Sequence, residues 1–249
     1  MPVRRRIQRS RRLSLGQLLP NLITLGAICA GLTAIRFSIE GRIPEAVGLI
    51  LLAAVLDGLD GRMARMLRSE SAIGAELDSL ADFLNFGVAV ALLTYFSTLH
   101  GLSRLGWIAV LVYVICCVLR LARFNVGAKS DAPSPGFTGV PSPAGAMLAL
   151  MPVAFDRAFP TLPELPGVLV ALWLMGVALL MISRIPTPSL KLLRIPSDKM
   201  PYLLVLFVAA AGVLFTWPWE TLVVLNAAYL CVVIWSVLKW RKTEVRDET

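Results

Sequence analysis

Apolar residues run along this chain in long blocks, and polar residues gather in short clusters between the blocks instead of alternating with them. Blocks of roughly 17 to 25 apolar residues are long enough to cross a bilayer as helices. Eight can be drawn, at approximately 18–36, 44–66, 75–97, 104–124, 142–158, 166–183, 202–217 and 219–239. Pro44, Pro141, Pro143, Pro160, Pro186, Pro188, Pro196 and Pro201 punctuate the boundaries, as expected of a residue that starts helices and breaks their interiors. No polar segment is long enough for a second domain. The pattern predicts an all-α, polytopic transmembrane bundle of about eight spans, with a basic tail (1–17), one membrane domain (18–240) and a short tail (241–249).

Composition agrees, at 57% hydrophobic and only 16% charged residues. If both termini share one side, twenty of the 24 Lys and Arg fall on that side, leaving Arg36, Arg42, Arg104 and Arg157 on the other. Positive charge marks the cytosolic face, so both termini are expected there. The opening "RRRIQRSRRLSLGQ" has the twin arginines of an export signal, but no A-x-A-like cleavage site follows and seven more blocks do. It reads as a retained anchor that sets orientation and attracts anionic head groups. Cys29, Cys116, Cys117 and Cys231 lie in apolar stretches without C-x-x-C spacing and read as small buried residues. With one histidine, His100, neither a His-ligated metal nor a Ser-His hydrolase is expected.

Against this background the stretch "LDGLDGRMARMLRSESAIGAELDSLADF" is anomalous, because it carries Asp57, Asp60, Asp78 and Asp82. An aspartate at the centre of a spanning helix costs about 2.5 to 3.5 kcal/mol on insertion scales, so acids retained there are presumed functional. A structural alternative is a buried salt-bridge network with Arg62, Arg65 and Arg68. At about 100° per residue, Asp57 and Asp60 share a helix face with Gly61 and Ala64. Gly74, Asp78 and Asp82 share a face of the next helix. Thirteen residues precede the first acid in its block and fourteen follow the last. Both lengths correspond to about 20 Å of a ~30 Å core, which places the acids at similar depth, within about 10 Å of the cytosolic boundary.

Four converging carboxylates without His or Cys suit Mg²⁺, Mn²⁺ or Ca²⁺ better than zinc. Two divalent ions would balance them and could serve displacement at phosphorus. A cation or proton transporter could use the same acids, though it has no evident need for the accompanying Gly, Ala and Arg. A membrane scaffold is a third reading.

The spacing Asp57-x-x-Asp60-Gly61-x-x-Ala64-Arg65, eight residues, Gly74, three residues, Asp78, three residues, Asp82 resembles the signature of the CDP-alcohol phosphatidyltransferases, with every specified position matched. The stretches "LPNLITLGAICAGLTAI", "DFLNFGVAVA", "RLARFNV", "FTGVPSPAGA" and "SRIPTPS" are similar to bacterial, membrane-embedded members that use L-serine. Asn85 and Val90 stand where Ser and Pro are commoner.

The resemblance implies transfer of the phosphatidyl group from CDP-diacylglycerol to serine, releasing CMP, at the cytosolic face of a bacterial inner membrane by a homodimer. It implies that Asp57, Asp60, Asp78 and Asp82 hold two divalent cations and that Asp82 is also the general base. Gly61, Ala64 and Gly74 would leave room for the nucleotide, with Asn21, Thr24 and Arg65 contacting it. Reading serine requires a partner for its carboxylate; Arg120, Arg123 and Asn125 are the candidates, since guanidinium matches carboxylate bidentately, with Asn85 one turn beyond Asp82. Arg120 and Arg123 could instead simply mark a cytosolic helix end, and Arg184 could reach a phosphate or lipid. Within the same chemistry, glycerol phosphate, inositol phosphate or choline are alternative acceptors.

Overall fold

The computed structural model describes residues 15–67, 69, 71–102, 104–128, 139–183, 209 and 212–247, and every regular element among them is helical. Helix α1 (Leu15–Ile39) and α2 (Ile43–Met66) form an antiparallel hairpin. Gly41 turns it at φ +75°, with Arg42 N–H donating to Phe37 O and Gly41 N–H to Ser38 O. That pair of bonds closes a Schellman motif, and Pro44 starts α2 where a missing N–H costs nothing. Ala27, Ala30 and Ala53 are buried between the two helices, small enough for their backbones to approach closely.

Helix α3 (Ala72–Asp82) is capped by Ser71, whose Oγ accepts the Gly74 N–H at 3.0 Å. It continues through a π-helical stretch (Phe83–Ala89), α4 (Val90–Thr94), a second π-helical stretch (Tyr95–Leu99) and a 3-10 turn (His100–Leu102). The first π stretch lies against α5 (Arg104–Ala128): the Tyr113 hydroxyl donates to Phe86 O at 2.9 Å, and Gly87 meets Cys117 so closely that an added Cβ would sit 3.1 Å from its Sγ.

Further helices are α6 (Ser142–Ala149), α7 (Met151–Ala158), α8 (Gly167–Ile182) and α9 (Pro218–Asp247). Helix α8 packs on α5 and α6, and α9 on α7 and α6. Phe86, Leu93, Tyr113, Leu148, Leu174 and Met181 are fully buried at the centre.

The span expected at 142–158 is two short helices instead of one. Pro152 has no N–H to give the carbonyl four residues back. That carbonyl, on Leu148, accepts the Trp173 indole N–H at 2.7 Å, so the break leaves no unsatisfied group there. Among the described residues four helices are long and apolar enough to cross a membrane, Leu18–Ile39, Ala72–Leu102, Arg104–Gly127 and Pro218–Leu238, where eight blocks were expected. Helix α2 has the length but carries charge, and α8 has 16 residues. Most of the expected span at 202–217, and residues 1–14 of the basic tail, lie outside the described residues. Helix α9 continues through Asp247, into the region expected to be a tail.

Candidate active site

Asp57 and Asp60 stand one turn apart on α2, and Asp78 faces them from α3. One carboxylate oxygen from each lies within 4.8 Å of the others. Asp60 is buried; its Oδ2 accepts the Thr24 hydroxyl of α1 at 2.5 Å, while its Oδ1 is buried with no hydrogen-bond partner. A buried, unsatisfied carboxylate oxygen is costly unless something electropositive meets it. Three carboxylates at this spacing, one with an orphaned oxygen and no His or Cys in the group, fit a hard divalent cation.

Asp82 lies one turn beyond Asp78, outside this three-carboxylate group. Its carboxylate is within hydrogen-bond reach of Asp57, and its Oδ1 is also buried without a partner. No ion pair joins any of the four to Arg62 or Arg65, so the salt-bridge alternative receives no support from these two; Arg68 lies outside the described residues.

A cavity of about 300 Å³ opens on one side of the acids. Asn21, Thr24, Gly61, Ala64, Arg65 and Gly74 all line it, together with Asp60 and Asp78. The two glycines differ. A Cβ added to Gly61 would meet nothing within 4 Å, so its smallness leaves space for something outside the protein. A Cβ on Gly74 would lie 3.0 Å from Asn21 Oδ1, so that glycine permits a close approach of α1 to α3. Ser69 and Ser71 also line this cavity and were not anticipated; for Ser71, the serine before a helical run is a sequence signal for an N-cap.

A second cavity, of about 360 Å³, lies on the other side and shares Ala75 and Asp78 with the first. Asp82, Arg120 and Asn125 line it. Asn125 Nδ2 donates to Ser79 Oγ at 3.0 Å, and Arg120 Nη1 donates to Ser142 Oγ at 2.5 Å with its guanidinium 5.8 Å from the Phe124 ring centre.

Two expected acceptor residues are placed elsewhere. Arg123 is exposed and its Nη1 donates to Ile182 O, at the carboxyl end of α8, at 2.8 Å. Asn85 is buried with its carboxamide against Gly31 of α1, where a Cβ would overlap it, and lines neither cavity. An α-helix would set Asn85 close to the Asp82 face, but the wider π turn that begins at Phe83 rotates it away. Arg184 lies outside the described residues.

The family model described as CDP-alcohol phosphatidyltransferase matches residues 17–184, which carry α1 to α8. Proteins named CDP-diacylglycerol–serine O-phosphatidyltransferase are similar over most of the chain. The one from Mycobacterium leprae is 39% identical over 234 residues, 92% of this chain and 77% of its own. That of Mycobacterium tuberculosis is 39% identical over 230 residues, covering 90% and 80%. That of Helicobacter pylori strain J99 is 34% identical over 223 residues, covering 90% and 91%. The chain belongs to the CDP-alcohol phosphatidyltransferase family.

Proposed function

We propose that this chain is an enzyme that transfers the phosphatidyl group of CDP-diacylglycerol to L-serine, giving phosphatidylserine and CMP. The observation that carries the reading is two cavities meeting at the aspartates: one lined by small residues and Arg65, the other by Arg120 and Asn125. The relatives' names supply the identity of the acceptor.

In this reading the nucleotide diphosphate enters the first cavity. Gly61 and Ala64 leave room for it, and Asn21, Thr24 and Arg65 contact it. Thr24 also orients Asp60 through its hydroxyl. Asp57, Asp60 and Asp78, with Asp82 beside them, would hold Mg²⁺ or Mn²⁺, two ions when fully loaded, which would supply neutralisation of the diphosphate and the departing CMP. Serine enters the second cavity, where Arg120 and Asn125 hold its carboxylate. Asp82 takes the hydroxyl proton as the serine oxygen bonds to the phosphatidyl phosphorus and the bond to the CMP oxygen breaks. A carboxylate is a weak base for an alcohol, so proton transfer accompanies O–P bond formation. Eight spans, both termini in the cytosol of a bacterium, and a homodimer complete the proposal, supported by the charge bias and the family resemblance.

Purified protein incubated with CDP-diacylglycerol, Mn²⁺ or Mg²⁺ and one acceptor at a time tests it. Serine is expected to release CMP faster than glycerol phosphate, inositol phosphate or choline. Faster release with another acceptor overturns the choice of alcohol, and acid-dependent ion flux without CMP release overturns the enzyme reading.

A further inference from the structure

We propose that Ser142 is a positioning residue for the acceptor, acting through Arg120: it holds the guanidinium apart from Asp82 so that a carboxylate-bearing alcohol fits between them. The inference rests on the functional reading above and names the group that makes the second cavity selective.

The placement of Ser142 is dictated by the backbone around it. Gly139 adopts φ +81°, and a Cβ there would lie 2.6 Å from Met181 O and 2.8 Å from Ser183 O, so the chain passes the end of α8 only as glycine. Val140 N–H donates to Leu180 O at 3.3 Å, tying the segment to α8. Pro141, extended at ψ 148°, then turns the chain into α6 and accepts the Gly145 N–H at 2.8 Å. Ser142, the first residue of α6, is completely buried, with the Cys117 thiol beside its hydroxyl and Arg120 Nη1 donating to it.

Arg120 has five N–H donors in a rigid fork, and among the described residues Nη1 is the one guanidinium nitrogen with a hydrogen-bond partner. Among the described residues the remaining donors make no hydrogen bond, and in this proposal they meet the acceptor's carboxylate. Arg120 and Asp82 line the same cavity yet make no ion pair. In a half-buried setting their attraction is strong. A guanidinium released from Ser142 would move toward Asp82, closing the gap that serine's carboxylate and hydroxyl must bridge. The oxygen of Ser142 accepts the Nη1 proton and opposes that collapse.

Steady-state CMP release by the full chain in detergent–lipid micelles tests this. Ser142→Ala is expected to raise the KM for serine about tenfold, with the KM for CDP-diacylglycerol and kcat held within about threefold. Ser142→Thr, which keeps the acceptor oxygen, should restore the serine KM. Turnover of serinol, which lacks the carboxylate, should be the same in Ser142→Ala as in the unaltered chain. If Ser142→Ala does not fold, Ser142→Cys, with a weak acceptor of similar size, carries the same expectation. An unchanged serine KM in a serine-active background overturns the inference alone, as does an equal loss toward serine and serinol. An unaltered chain that releases no CMP with serine overturns the functional reading and the inference with it.

Discussion

Two groups of charged residues sit at opposite ends of the α1–α2 hairpin, and they are handled in opposite ways. At the turn, Arg36 pairs with Glu40 at 2.7 Å, Arg42 with Glu45 at 3.1 Å, and the Arg42 guanidinium lies 4.1 Å from the Phe37 ring centre. Those charges are partly exposed and answer one another. About 20 Å away along α2, Asp57 and Asp60 converge with Asp78 and Asp82, Asp60 being buried, with oxygens of Asp60 and Asp82 unpartnered and no ion pair to Arg62 or Arg65. A charge cluster that satisfies itself is explained by the fold. One that does not is explained by what it binds.

The contrast breaks most visibly at Asp82. Asp82→Asn keeps shape and removes the proposed base, and is expected to lower CMP release about a thousandfold while CDP-diacylglycerol binding is retained. Retained turnover in the purified variant would remove Asp82 from the chemistry. The next largest effect tests the guest directly. If the three-carboxylate group waits for a cation, Mn²⁺ at a hundred times its dissociation constant stabilises the chain by about 2.7 kcal/mol. In Asp60→Asn most of that gain disappears, although Thr24 keeps a side-chain oxygen to donate to. Thermal unfolding with and without Mn²⁺ reads both quantities. A melting temperature insensitive to divalent ions in the unaltered chain would deny the group its cation.

How much of this was legible in the sequence follows from what a periodicity can encode. The convergence of Asp57, Asp60 and Asp78 was legible, because helical spacing translates directly into a shared face. Asp82, a full turn further along the same face, falls outside the three-carboxylate group yet stays within reach of Asp57. Asn85 was misplaced for a different reason: nothing in "DFLNFGVAVA" announces a π turn. Arg123 and Ser142 depend on the end of α8, some forty to sixty residues later in sequence, which local spacing does not encode. The division at Leu150 was hidden inside an apolar block whose proline was compensated by a distant tryptophan.

A smaller effect sharpens the comparison from the side of the guest. Gly61 has open space where a side chain would go, so Gly61→Leu is expected to fold, yet it places four carbons into the first cavity beside Asp60. The KM for CDP-diacylglycerol should rise about tenfold with the serine KM unchanged. Equal changes in both would mean that the two cavities do not divide donor from acceptor.

The smallest effect is expected at the paired cluster. Arg36 is 73% exposed and Glu40 36%, so the pair is well screened. Its order, Arg before Glu at i and i+4, is also the weaker orientation on a helix. A double-mutant cycle with Arg36→Ala and Glu40→Ala should give a coupling below about 0.5 kcal/mol, with CMP release unchanged. Arg36→Ala should cost slightly more than Glu40→Ala, because a cation in the last turn of α1 also meets the helix carboxyl end. Arg42 loses only its longer, 3.8 Å contact to Glu40 and keeps Glu45 and Phe37. A coupling above about 1 kcal/mol, or loss of CMP release in the double variant, would show that the turn is tied to the site, and the division between self-satisfied and guest-binding charge would fail at that end.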